Sequence, residues 1–253
     1  MTSRYSATLN NVSLASVDSS ILLLDIQYQP VEMQDKTINI AKRHGARRTD
    51  RSFGMSSARI LFEIHKYGIA DRQEVCGKIG KWAKDGGVLE VNDRPGQYLQ
   101  CVCTEFPVIN SAKNWTEALS ITFTAFEIPF WQAKTAVTKA LTGTSDEELL
   151  TVPGNVDGAL VEVDITANAS LSSITLSVNN RDLILSSLNA SQSDIISISY
   201  DEKAIQSIKK GSASIMDKRT GVDDLLAVCG SNTLEISASA SVSAEFKVRG
   251  LWL

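Results

Sequence analysis

Few side chains in this sequence are of a type and spacing suited to chemistry. The four cysteines are Cys76, Cys101, Cys103 and Cys229. Cys101 and Cys103 form a Cys-x-Cys pair, whereas a zinc knuckle wants C-x₂₋₄-C and a second such pair. Two residues apart on a strand puts both on one face, so they read as small buried hydrophobes. The two histidines, His44 and His65, show neither H-x₃-H nor H-E-x-x-H spacing. No G-x-S-x-G elbow occurs. Gly77-Lys78-Ile79-Gly80-Lys81 lacks the spacing that wraps phosphates and falls inside a helical pattern. Asp223-Asp224 and Glu147-Glu148 are adjacent carboxylates that suit a turn or a wet surface. The expectation is a protein without catalytic residues, metal or cofactor, and not an enzyme.

One segment is chemically distinct. Lys42-Arg43-His44-Gly45-Ala46-Arg47-Arg48-Thr49-Asp50-Arg51 is strongly basic in a chain of formal net charge -4. It has no apolar period and reads as a loop. Lys42, Arg43, Arg47, Arg48 and Arg51 are the candidate interface residues. A solvated loop, a surface for an anionic partner and a lining near nucleic acid all fit such a patch. The acidic balance of the whole chain argues against a dedicated nucleic-acid binder.

The elements that must position these residues are mostly strands. Ile21 to Tyr28 is an apolar run broken at Gln29-Pro30. Lys36 to Ala41 alternates, and Ala58 to Ile64 is rich in β-branched and aromatic residues. One helix is predicted from Ile69 to about Lys84, with Val75, Cys76, Ile79, Trp82 and Ala83 on one face. Gly86-Gly87 stops it. Val88 to Val91, Gln97 to Val108 and Ala118 to Phe126 follow as strands, the last with the clearest alternation. Ile128-Pro129-Phe130-Trp131 closes a first unit, 1–131. A polar stretch at 132–155 reads as a linker. Residues 156–253 read as short strands of a sandwich, among them Leu160 to Ile165, Ser173 to Val178, Ile195 to Tyr200, Thr233 to Ala240 and Ala244 to Trp252. The chain is long enough for one large or two modest domains, at roughly 100–200 residues each. Its N-terminus lacks the apolar core of a signal peptide and no run approaches the ~18 apolar residues of a membrane span, so folding in a cytoplasm is expected.

Read in order, these passages resemble a known family. Arg59 to Ile64, the helix with Ile79-Gly80-Lys81-Trp82, the hairpin Asp93-Arg94-Pro95-Gly96-Gln97-Tyr98 and the closing Leu119 to Trp131 are similar to the N-terminal domain of distal tail (Dit) proteins of long-tailed phages. Ser177-Val178-Asn179-Asn180-Arg181-Asp182-Leu183, Ile196 to Asp201, Leu225 to Leu234 and Phe246 to Leu253 resemble that family's galectin-like sandwich. The resemblance implies a mainly β fold: an N-terminal β-sandwich-like domain with one helix, then a galectin-like β-sandwich. It implies a homohexameric ring in the virion tail tip, assembled in the host cytoplasm. Its neighbours would be the tail tube protein, the tape-measure protein, a tail-tip hub protein and receptor-binding proteins. DNA would pass through the lumen without sequence-specific binding, and no membrane is involved. A lumen that passes DNA should be mostly acidic, so the basic segment is assigned to a protein interface. The alternative function is a carbohydrate-binding module, because a galectin-like sandwich could bind sugar.

Overall fold

The structure, a computed structural model, describes residues 4–29, 31, 33–39, 46–109 and 118–253. The chain divides into two compact units, Met1–Trp131 and Gln132–Leu253. Both are mainly antiparallel β. Among the described residues, no helix is long and apolar enough to cross a membrane.

In the first unit the strands are β1 (Ala7–Leu9), β2 (Val12–Ser13), β3 (Ile21–Gln29), β4 (Met33–Asn39), β5 (Ala46–Phe53), β6 (Ser56–Ile64), β7 (Gly87–Val91), β8 (Gln97–Glu105) and β9 (Leu119–Ala125). Seven of them lie in the order β2-β1-β7-β8-β9-β6-β3. β8 changes neighbour part-way. Leu99 and Cys101 face Leu89 and Gly87 of β7, whereas Val102 and Cys103 face Thr124 and Phe123 of β9. A strand that hands over in this way makes the corner of a sandwich. The handover divides the Cys-x-Cys pair: Cys101 is buried and Cys103 half-buried. In β3 a bulge at Leu24 resets the alternation. Ile21 and Leu23 point into the core before it and Ile26 after it, with Asp25 turned away.

The predicted helix is present as α2 (Ile69–Ala83), after a one-turn helix α1 (Leu14–Val17) that carries no signal in the sequence. Val75, Ile79 and Ala83 are buried. They belong to a core with Phe62, Phe123, Ile60 and Ile121. Arg72 is buried on α2 as well, which the apolar period did not indicate. Trp82 is only half-buried, because its indole N–H reaches out to the Val12 carbonyl at 2.9 Å. Gly86-Gly87 does more than end the helix. Gly87 has φ +128°, and a Cβ there would lie 2.1 Å from the Asn10 side-chain oxygen. Asn10 occupies that space to accept from the Val88 N–H and donate to the Gly86 carbonyl, each at 2.9 Å.

In the second unit the strands are β10 (Trp131–Ala133, which begins in the first unit), β11 (Val137–Val152), β12 (Ala159–Ala167), β13 (Ile174–Val178), β14 (Arg181–Leu185), β15 (Ile195–Tyr200), β16 (Gln206–Lys210), β17 (Ala213–Ser214), β18 (Arg219–Gly221), β19 (Leu226–Ala227), β20 (Gly230–Val248) and β21 (Leu251–Trp252). Two long strands organise it. β11 pairs with β20 along its length, and it occupies most of the segment that reads as a linker. β20 merges the two strands expected at 233–240 and 244–252. Its residues Leu234 to Ala238 pair with β13, and its residues Val242 to Val248 pair with β12. The register between β11 and β20 jumps at the same place, from Gly143 opposite Val242 to Ser145 opposite Ser237. Both strands therefore turn a corner between two packed layers. Gly143 takes φ +105° there. The final strand does not continue to Trp252 as the parity of the sequence suggested. It stops at Val248, and Leu251–Trp252 form the separate β21; between them Gly250 passes so close to the Pro153 carbonyl oxygen that any side chain there would strike it.

Candidate assembly interface

The basic segment is not simply a loop. Arg47, Arg48 and Arg51 lie in β5, which pairs with β4 as a separate two-stranded ribbon. Lys42 and Arg43 lie outside the described residues. The alternation at Lys36 to Ala41 overlaps β4, but β5 was read as a loop because its basic sequence has no apolar period. Here the residues at its base are exposed on both strands: Met33, Gln34, Asp35 and Lys36 on β4, Ser52 and Phe53 on β5. Successive residues of a strand face opposite ways, so both faces of this base carry exposed residues, although the Phe53 ring also meets Phe130 edge to face at 5.1 Å.

The register divides the five candidate residues. Asp35 stands opposite Arg51 and Lys36 opposite Asp50. Beyond these pairs the register shifts, and Arg48 faces Thr37 while Arg47 faces Ile38. Register thus sets Arg51 opposite an acidic residue and sets Arg47 and Arg48 opposite uncharged ones.

The ribbon continues a well-anchored pair of strands. β3 pairs with β6 as far as Gln29 opposite Ser57, and the β4–β5 ladder starts at Met33 opposite Phe53. At this root the Ser57 hydroxyl donates to the Gln29 side-chain oxygen at 2.8 Å. The Tyr28 hydroxyl donates to Asp93 Oδ1 in the β7–β8 turn at 2.5 Å. The Arg94 guanidinium lies 4.7 Å from the Tyr28 ring centre and 5.0 Å from that of Trp131. Tyr28 and Trp131 meet edge to face at 5.6 Å. Burial, then the neighbouring Asp93 carboxylate, raises the Tyr28 pKa, so the phenol keeps its proton and remains a donor. The Asp93-Arg94 turn thus holds the end of β3 from which the ribbon departs. The sequence offered the turn but not its target.

Of the four cysteines only Cys101 is buried; Cys76, Cys103 and Cys229 are half-buried, so the reading of Cys101 and Cys103 as a buried pair holds for Cys101 alone. Burial pushes the Cys101 thiol up to about 12, and Cys76 and Cys103 each to about 11. All three are protonated near neutral pH and are poor nucleophiles. Among the described residues, no group of three or more His, Cys, Asp or Glu side chains is placed to hold a metal ion.

No family model matches the sequence, and no curated protein matches it. Solved structures do match. The Dit protein of phage SPP1, described as a paradigm of the hub adsorption apparatus in phages infecting Gram-positive bacteria, superposes with a TM-score of 0.70. The match covers 97% of this chain and 98% of that one, at 10% identity. A chain of the phage P2 baseplate in its activated conformation with calcium covers 97% of each at 10% identity and a TM-score of 0.47. That score is too low to carry an argument. At 10% identity the SPP1 match speaks to backbone architecture alone, and it does so for both units in the same order. Over its whole length, this chain has the fold of the SPP1 Dit protein.

Proposed function

We propose that this chain is a structural component of a phage tail tip: a ring-forming adaptor, built as a homohexamer, that joins the tail tube to the tip or baseplate and leaves a channel for DNA. The observation that carries this reading is the end-to-end fold match with SPP1 Dit, including both units and nearly every residue. The ribbon supports it. A two-stranded ribbon alone is marginally stable in water, so one with exposed residues on both faces at its base is consistent with a neighbour. The neighbours in this reading are further copies of the chain, the tail tube protein, the tape-measure protein and a tail-tip hub protein, with receptor-binding proteins beyond.

Carbohydrate binding finds no comparable support. A sugar site wants an exposed aromatic platform. The second unit has three aromatics, of which Phe246 is buried and Tyr200 and Trp252 are half-buried. Its exposed large apolar side chains are Leu149, Ile195, Ile205, Val228 and Leu253, all aliphatic.

Native mass spectrometry of the purified chain, alone and mixed with isolated tail tubes, tests the proposal. A six-fold mass that caps the tubes is expected. A monomer at every concentration, with no attachment to tubes, overturns it.

A further inference from the structure

We infer that the free edge of β11 receives an extended, basic segment of another protein as an added strand beside Glu147–Thr151. The inference does not rest on the tail-tip reading. β20 has β13 and β12 on one side and β11 on the other, and among the described residues β11 pairs with no further strand. Its 16 residues, roughly 50 Å at about 3.3 Å each, form one edge shared by both layers. Folded proteins blunt such an edge with lysine, proline or a bulge, because its unpaired backbone groups are a template for another chain. β11 has no proline, and its one lysine, Lys139, is bound to Glu148 at 2.9 Å. At the corner the edge is closed: Asp146 accepts the Thr142 N–H at 2.8 Å and the Glu147 N–H at 3.0 Å. Past the corner it is open. Thr233 of β20 donates its N–H to Asn179 Oδ1 at 3.0 Å and accepts the Asn179 N–H at 2.9 Å, so its backbone groups turn toward the β13 side. Leu149 stands opposite Thr233, and in such a pair of an antiparallel ladder both residues turn their N–H and C=O away from each other. Leu149 and, two residues on, Thr151 therefore point these groups out from the edge of the sheet. Both residues are exposed, Leu149 at 63%.

Charge names the occupant. Asp182, Ser177, Glu235 and Glu147 stand in one row across β14, β13, β20 and β11. Glu235 and Glu147 are directly opposite each other, and like charges so placed destabilise a ladder. Among the described residues, none of the row's three carboxylates makes an ion pair, and no such group is placed to hold a metal ion. In the other layer the carboxylates are matched: Lys247 holds Asp164 at 2.7 Å and Glu245 at 3.1 Å. Glu147 ends the unmatched row at the free edge. A strand added there sets one of its own side chains directly across from Glu147, and a lysine or arginine at that place supplies the missing cation. Leu149 lies on the same face as Glu147, so an apolar residue two positions away on the added strand covers it. The partner is thus an extended segment with a basic and an apolar residue two positions apart. Main-chain bonds to Leu149 and Thr151 hold such a strand, and the alternate side chains select it.

The test uses the full chain and a short synthetic peptide in which lysine and valine alternate on one face between threonines. Two further peptides carry glutamate in place of lysine, or proline at the centre. Binding is followed by fluorescence anisotropy, and backbone hydrogen exchange by NMR. The lysine peptide should bind about ten-fold or more tightly than the other two and should slow exchange at the Leu149 and Thr151 N–H groups. Leu149→Pro removes an N–H that faces out from the edge, where proline is tolerated, and Leu149→Thr loses the same side chain but keeps that N–H. The proline variant should bind the lysine peptide about ten-fold or more weakly than the threonine variant, with a thermal melt to check the fold. Glu147→Lys leaves the backbone intact and should reverse the preference between the lysine and glutamate peptides. Equal binding of the three peptides, equal binding by the two Leu149 variants, or unchanged exchange at Leu149 under saturating peptide overturns the inference. A wild-type dimer that Leu149→Pro disperses would give the edge to a second copy and overturn the basic partner.

Discussion

Asp18 shows how single side chains tie the first unit together. One carboxylate oxygen accepts the Ser20 backbone N–H at 3.0 Å and the Ser20 hydroxyl at 2.8 Å, and the other accepts Lys78 of α2 at 3.1 Å. These bonds, the Ser20 N–H first, lower the pKa to about 2. A carboxyl held below its unfolded value of about 3.9 contributes stability in full above that value and loses it as the pH falls through the folded one. Asp18→Asn should therefore be less stable than wild type at neutral pH, with the difference closing between about pH 4 and pH 2. Denaturant melts of both proteins across that range measure it, and a constant difference would contradict the assignment. Asn232 is the counterpart in the second unit. It is 1% exposed, accepts from Val228 N–H and Asn179 Nδ2 at 2.8 Å each, and donates to the Val228 and Gly230 carbonyls at 2.9 and 3.0 Å. Asn232→Ala leaves these groups without partners in a dry site. The expected loss, read by urea unfolding, is about 1–3 kcal/mol.

At the scale of elements, α2 is held by its buried face and by polar contacts that include Lys78 to Asp18 and one from Trp82 at its end. The Trp82 ring meets Phe123 edge to face at 5.8 Å, and its N–H bonds to Val12 of β2. Fully burying a tryptophan would make Trp82→Ala cost about 3–5 kcal/mol. Because Trp82 is half-buried, the expected loss falls below that range. Trp82→Phe keeps an aromatic ring near Phe123 and loses the hydrogen bond, for roughly 1 kcal/mol. Equal destabilisation by the two substitutions would show that the bond to β2, and not the packing, fastens the helix. The ribbon contrasts with α2. Its base carries exposed residues on both faces and is tied to the first unit by the Phe53–Phe130 ring contact.

For the whole molecule, a head-to-tail ring has a testable asymmetry. In the proposed ring each copy would present its ribbon to one neighbour and a different surface to the next. A subunit with a damaged ribbon and an intact body can be received by one neighbour but cannot bind the next. Mixing a Met33→Ser, Phe53→Ser chain with wild type should therefore depress ring yield more than dilution alone, as measured by native mass spectrometry. Yield that tracks only the wild-type concentration would mean that the variant does not enter rings at all.

The sequence alone determined those features whose signal is local. α2 was legible because Val75, Ile79 and Ala83 repeat at helical spacing against one buried face, and β9 because Leu119, Ile121, Phe123 and Ala125 alternate. The burial of Cys101 followed from its residue type and spacing. The predominance of strands followed from the same periodicities, and the order of motifs already carried the resemblance to Dit proteins. Only the tertiary structure decided what depends on distant pairing. β11 looks like a polar linker because much of it is exposed, and its long ladder with β20 makes it a strand. The bulge at Leu24, the handover within β8 and the corner at Gly143 each change which side chains face inward, so a period read straight through them fails. The basic segment shows the same limit. Its charge was visible residue by residue, but register separated Arg51, set against Asp35, from Arg47 and Arg48. The ring contact of Phe53 with Phe130 likewise joins residues far apart in sequence and left no local signal.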